Sequence, residues 1–203
     1  MDYIRAMKEH WPAPERNKRP ILEVLTRVLP ERGTLLEIAS GTGQHAAFMA
    51  AELPAWTWIP SDLDPAHVAS IDAYRSETGL PNLASARVLD VCESTWNVPE
   101  LDAVFSANMI HIAPFACCEG LFKGAARHLR RGGQLIMYGP MKLDGQHTAP
   151  SNEAFDADLR ARDPRWGVRD LVELAALGGK LGLTLRERTP MPANNQCVWF
   201  ERL

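Results

Sequence analysis

No stretch of this sequence stays apolar for the roughly 20 residues that a bilayer-spanning helix needs, so no membrane partner is expected. The amino terminus, Met1 to Trp11, also lacks the apolar core of an export signal and carries Asp2, Arg5, Lys8 and Glu9 instead. A soluble, unexported, cytoplasmic chain is the expectation. Charge of one sign is missing too. Lys and Arg number 22 against 25 Asp and Glu, a formal net charge of −3, and the charges are scattered. No basic face of the kind that neutralises phosphates is visible, so nucleic acid is not an expected partner.

Cysteine is scarce. Cys92, Cys117, Cys118 and Cys197 include an adjacent pair and no C-x-x-C spacing, which makes a poor disulfide framework and a poor zinc site, so reduced thiols are expected. The histidines never fall as H-x-x-x-H or H-E-x-x-H, and no metal is expected. Repeats, low-complexity tracts and linkers are absent. With 203 residues, 46% of them hydrophobic, the chain suffices for one sizeable core and is short for two, so a single domain over 1–203 is expected.

What is present is an alternation of short apolar runs with longer helical patterns. After Pro12 and Pro14, a helix is expected from about Asn17 to Leu29, where Ile21, Leu22, Leu25, Val28 and Leu29 recur at helical spacing. Strands follow at Thr34–Ile38, Trp56–Pro60, Ala86–Leu89, Leu101–Ser106 and Gln134–Tyr138. Helices fall between them at Gly43–Leu53, Pro65–Glu77 and Pro114–Leu129, the last ending in Arg130, Arg131, Gly132 and Gly133. A helix over Val168–Leu181 then precedes two strands, Leu183–Thr189 and Cys197–Glu201, separated by a turn-rich segment. Such alternation calls for an α/β fold with a mostly parallel sheet covered on both faces, and the last two strands read as a hairpin closing one edge.

Ligands of open α/β sheets bind outside the carboxyl ends of the strands. The first strand runs into Glu37-Ile38-Ala39-Ser40-Gly41-Thr42-Gly43-Gln44-His45, the second into Ser61-Asp62-Leu63-Asp64, and the third into Leu89-Asp90-Val91. Gly41 and Gly43 allow a tight turn and close backbone approach, and Asp62, about twenty positions on, suits the two hydroxyls of a ribose. The glycines alone also fit the dinucleotide pattern G-x-G-x-x-A. A pyrophosphate disfavours nearby carboxylates, however, whereas Glu37, Asp62 and Asp90 suit the net cation S-adenosylmethionine. A P-loop is excluded, because no G-K-[ST] follows.

Leu35 to Gly43, Asp62, Asp90 and Leu101-Asp102-Ala103-Val104-Phe105 together resemble class I S-adenosylmethionine-dependent methyltransferases over most of the chain. Four further motifs look like one subfamily, the DUF938 or methyltransferase-like 26 group. They are Glu15-Arg16-Asn17-Lys18, Ser106 to His111, Arg162 to Asp170, and Met191-Pro192-Ala193-Asn194-Asn195. One departure stands out: Ala39 occupies the place where the class usually has its first glycine.

The resemblance implies a Rossmann-like seven-stranded sheet with an antiparallel terminal strand. It implies that Glu37 meets the donor's amino group, that Ala39, Ser40, Gly41, Thr42 and Gly43 pass under its methionine portion with His45 beside them, and that Asp62 holds the ribose. Leu63 would pack on the adenine, Asp90 and the Val91 backbone would meet its amino edge, and Arg16 and Asn17 would fold over the donor. Asn108 and His111 would face the transferable methyl as candidate catalytic residues. Tyr138, Trp166, Arg169 and Asn194 are candidates for the acceptor, with 1–33 as a helical cap and 140–170 as an insert lidding the acceptor pocket.

Each assignment has a plainer counterpart. Asp64 before Pro65 is a helix cap; Asp62 could share that role; Asp90 could be a turn carboxylate; Asn108 could satisfy loop backbone. His111 titrates near neutrality when unperturbed, and a hydrogen-bonded structural histidine is the alternative. Arg16 and Asn17 could be solvated helix-start residues, Arg169 and Asp170 a surface pair, and Tyr138 a core aromatic. The function expected is a methyltransferase using S-adenosylmethionine, with S-adenosylhomocysteine as product, on a small-molecule O, N or S acceptor. A donor-binding protein without turnover and an NAD(P)-dependent reductase are the rivals.

Overall fold

The computed structural model describes residues 8–203. Asp2 and Arg5, cited above against an export signal, and the start of the 1–33 cap lie outside the described residues. The chain divides into two compact units, one ending at Asp90 and the other beginning at Val91.

The first unit runs α1 (Pro12–Val28), β1 (Gly33–Ile38), α2 (Gln44–Glu52), β2 (Trp56–Asp62), α3 (Pro65–Thr78) and β3 (Arg87–Val88). Helix α1 starts five residues before the expected Asn17. Pro12 and Pro14 fit its first turn, where the N–H groups that proline lacks would have no intrahelical partner anyway. β1 pairs in parallel with β2, from Gly33↔Trp56 to Glu37↔Pro60, and β2 in parallel with β3. The unbroken burial of Leu35 to Ile38 is that of a parallel strand covered on both faces. Ile21, Leu25, Leu36, Met49, Trp58 and Ile71 are fully buried.

The second unit runs β4 (Leu101–Ala107), α4 (Phe115–His128), β5 (Leu129–Gly139), β6 (Met141–Leu143), β7 (Gln146–His147), α5 (Pro150–Arg162), β8 (Arg169–Asp170), α6 (Leu171–Lys180), β9 (Leu183–Pro190) and β10 (Gln196–Arg202). Phe122 and Phe200 meet edge to face at 5.1 Å in its core. Strand β5 begins directly at Leu129, so Arg130 to Gly133, expected as a helix ending, belong to a strand. Its register against β4 jumps from Leu101↔Leu129 to Ala103↔Gln134, and the surplus residues bulge out.

The seven-stranded sheet has the order β3-β2-β1-β4-β5-β10-β9, mostly parallel as expected, with β10 antiparallel to both neighbours. The closing hairpin is present with its strands placed in a specific way. The chain-terminal strand lies inside, and β9, with exposed Arg186 and Arg188 and half-buried Glu187 between them, forms the edge, where charge guards against foreign pairing. Residues 140–170, which no periodicity marks as structured, form a separate three-stranded sheet, β7-β6-β8, and the helix α5. The last helix begins at Leu171 rather than Val168, because Asp170 caps it by accepting from Val172 N–H at 2.7 Å. No helix among the described residues is long and apolar enough to cross a membrane.

Candidate functional site

In the first unit, the turn after β1 carries positive φ at alternate residues: Ala39 (+55°), Gly41 (+57°) and Gly43 (+93°). The alanine at the departure from the class pattern therefore holds a conformation that glycine adopts freely. Gly43 has a packing role as well, since a β-carbon there would lie 2.8 Å from Ile71 Cα on α3. Thr42 is buried, its carbonyl accepting from Ser70 Oγ at 2.8 Å, and Ser40 N–H donates to the Ser61 carbonyl at 2.8 Å. These bonds fix the turn against the end of β2.

Asp62 ends β2 and is only 7% exposed. Its Oδ2 accepts from Gly41 N–H at 2.8 Å, while Oδ1 accepts from Asp64 N–H at 3.0 Å and lies 3.1 Å from His67 Nδ1. Asp64 caps α3 through Ala66 N–H, as its plainer reading has it. Leu89 N–H donates to the Asp62 carbonyl at 2.9 Å, and half-buried Asp90 follows in the segment after β3. Leu63, between the two aspartates, is 62% exposed.

Glu37 differs in kind. It is 1% exposed, its Oε2 accepts from Trp58 Nε1 at 2.7 Å, and burial, with the Asp62 charge adding to it, pushes its carboxyl up to about 7. Of the three carboxylates expected at the strand ends, Asp62 is thus held by backbone N–H groups, Asp90 is half-buried, and Glu37 is sunk beside an indole.

Asn17 and His45 are bound to each other: Asn17 Oδ1 lies 2.7 Å from His45 Nε2 in a buried contact that ties α1 to α2. Burial lowers the His45 imidazole to about 4, so it is neutral near pH 7. Arg16 lies exposed on α1. Gln44 was not singled out from the sequence. Its Oε1 accepts from Trp11 N–H at 2.6 Å and from Thr42 Oγ1 at 3.0 Å, and its Nε2 donates to Glu15 at 2.8 Å.

In the second unit, Asn108 follows β4 with φ +63° and donates its N–H to the Tyr138 carbonyl at 2.8 Å. A single 3-10 turn, Met109–His111, comes next. His111 is fully buried, and burial lowers its imidazole to about 3. Neither ring nitrogen has a hydrogen-bond partner among the described residues. Gly139, at the end of β5, presses against this ring: a β-carbon there would lie 2.4 Å from His111 Nε2 and 3.1 Å from Asn108 Oδ1. The rule that pointed to the other strand ends could have found Gly139 too.

Arg169 and Asp170 do not pair at the surface. Both are buried; Arg169 donates to the carbonyls of Ile110 (2.9 Å), Ala113 (2.6 Å) and Arg165 (3.0 Å), holding the His111 turn, and Asp170 caps α6. Gly167 N–H donates to the His111 carbonyl at 2.9 Å, which brings the half-buried Trp166 into the same neighbourhood. Tyr138 is buried within β5. Asn194 sits apart on an exposed turn, its carbonyl accepting from Asn152 at 2.9 Å and its amide donating to Ser151 at 3.3 Å, so it anchors the start of α5. Val91 is buried, and its carbonyl accepts from Trp96 Nε1 at 3.4 Å. Asp156 was missed: it accepts from Val168 N–H at 2.7 Å and lies 3.1 Å from Lys142 Nζ and 3.2 Å from Arg160 Nε.

A family model described as DUF938, protein of unknown function, matches residues 8–202. The chain belongs to the DUF938 family. Among solved structures, it is similar to an O-methyltransferase family protein from Burkholderia thailandensis (TM-score 0.76, 17% identity, 94% of this chain and 57% of that one). It is also similar to an O-methyltransferase family 2 protein from Planctomyces limnophilus in complex with apigenin (TM-score 0.73, 19% identity, 92% and 62%). A third similar structure is human N-acetylserotonin methyltransferase in complex with S-adenosylmethionine (TM-score 0.75, 14% identity, 93% and 52%). The DUF938 chain spans between 52% and 62% of the length of these three, and at these identities the likeness establishes the fold.

Proposed function

We propose that this DUF938 protein is a methyltransferase that binds S-adenosylmethionine in its first unit and methylates a small-molecule O, N or S acceptor. The observation that carries the reading is the Asp62 carboxylate held at the end of β2 over the Gly41 N–H. It lies beside a turn with three positive-φ residues, two of them glycines that bring no side chain of their own. A nearly buried carboxylate is a strong acceptor for paired hydroxyls such as those of a ribose. The fold shared with methyltransferase structures supports the same choice over a reductase.

The donor, when bound, supplies an activated methyl group, so the protein's part is to position and to exclude water. Ala39 to Gly43 provide the floor for the methionine portion, Asp62 the ribose contact, Leu63 an apolar surface for the base, and Asp90 the adenine edge. Asn108 and His111 are the candidate catalytic residues of the second unit. An imidazole lowered to about 3 is neutral at physiological pH and a weak base, so we assign His111 to orienting the acceptor by hydrogen bonding. An acceptor that arrives as a competent nucleophile fits such a site. Arg169 and Trp166 shape the same neighbourhood.

The test is a calorimetric titration of S-adenosylmethionine, S-adenosylhomocysteine and NADPH into wild type and Asp62→Ala. The adenosyl compounds bind wild type, NADPH does not, and the variant binds more than tenfold more weakly, as loss of charged-acceptor bonds of about 1.5 to 3 kcal/mol requires. Tight NADPH binding or an unchanged variant defeats the reading. Transfer of labelled methyl to any member of an acceptor panel separates an enzyme from a protein that only binds the donor.

A further inference from the structure

The segment Lys8–Trp11 is strapped across the helices of the first unit. Glu9 N–H donates to Ser70 Oγ at 2.9 Å, and Tyr74 OH donates to the Glu9 carbonyl at 3.1 Å. Lys8 Nζ pairs with Glu77 at 2.7 Å and stands 4.5 Å over the Tyr74 ring. Trp11 N–H donates to Gln44, the residue that follows the glycine turn. These bonds deliver the Trp11 indole to the turn itself: a β-carbon on Gly41 would lie 3.0 Å from Trp11 Cζ3. The ring also meets His67 edge-on at 5.3 Å, and His67 is the residue whose Nδ1 approaches Asp62.

Trp11 is 42% exposed although its backbone is well tied. Its structural duty is met by that backbone, which is the N-cap residue of α1 and makes no side-chain cap bond. The indole is therefore not needed to start the helix, and it gains only part of the burial that usually justifies a tryptophan. It stands between Gly41, under the proposed methionine portion, and the His67–Asp62 pair at the proposed ribose. The sulfonium joins those two portions of the donor, and an indole face attracts a cation.

We propose that Trp11 is the aromatic wall of the donor site, packing its indole against the sulfonium and ribose of S-adenosylmethionine. This rests on the donor reading above. The charge on the sulfonium makes the wall discriminate: it favours S-adenosylmethionine over the neutral thioether S-adenosylhomocysteine.

Titrations of both compounds into wild type, Trp11→Phe and Trp11→Ala test it, with circular dichroism confirming the fold. Trp11→Ala binds S-adenosylmethionine at least tenfold more weakly and loses less for S-adenosylhomocysteine, while Trp11→Phe stays within about threefold of wild type. The wild-type emission spectrum shifts on donor binding, and that shift is absent in Trp11→Phe. Unchanged affinity in Trp11→Ala, equal losses for both compounds, or an identical emission response in Trp11→Phe overturns the proposal and leaves the donor reading intact. Should Trp11→Ala fail to fold, the emission comparison decides. A folded wild type that binds neither compound overturns the donor reading, and this inference with it.

Discussion

The α-carbon of Gly139 lies so close to the His111 ring that a β-carbon would come within 2.4 Å of Nε2. The glycine at the end of β5 is thus required by a side chain in the 3-10 turn that follows the neighbouring strand β4, in a part of the second unit where Asn108 Oδ1 would also be only 3.1 Å away.

Gly139→Ala must push the imidazole aside. Overpacking of this kind costs about 1 to 3 kcal/mol, so chemical denaturation should show a loss in that range. Methyl transfer should fall while S-adenosylmethionine affinity, assigned to the first unit, stays at the wild-type value. An unchanged denaturation midpoint would show that the ring has room to move.

Glu37 makes stability depend on pH. Its folded carboxyl is raised from 4.5 to about 7, so between those values the native state holds a proton that the unfolded chain has released. Stability from this group is therefore greatest below about pH 4.5, declines as pH rises towards 7, and is lowered in full above it, by on the order of 3 kcal/mol. Glu37→Gln keeps an oxygen for Trp58 Nε1 and removes the charge. The variant should gain on wild type as denaturation is repeated from pH 5 to pH 8; a constant difference across that range would refute the raised value.

Ala39 bears the backbone strain of the turn. Its φ of +55° costs a non-glycine residue roughly 1 to 2 kcal/mol, while a glycine stiffens the unfolded chain less by about 0.4 to 1 kcal/mol. The two nearly offset, so Ala39→Gly should leave the thermal midpoint close to wild type or slightly higher. Ala39→Val, branched at Cβ, should lower stability by about 1 to 3 kcal/mol. Equal midpoints for all three proteins would place the turn elsewhere in backbone space.

The order of strands and helices outside residues 140–170, the positions of Asp62 and Asp90 at the ends of their strands, and the cap at Asp64 were legible in the sequence. Local periodicity and the chemistry of turns determine them over a few residues at a time. The family motifs were legible for the same reason, as contiguous strings. The partners of those residues were not. Nothing in the string couples Asn17 to His45, Trp11 to Gly41, or Gly139 to His111, because each pair is separated by tens of positions and meets only after the helices have packed. Packing also decides protonation: burial raises the Glu37 carboxyl, and nothing in its local string marks it for that. The sequence by itself determined which chemistry stands at each strand end, because that is fixed by residue type and local spacing. Only the tertiary structure decided which of those groups are paired, buried or left facing outward, because desolvation and contact are properties of the packed chain.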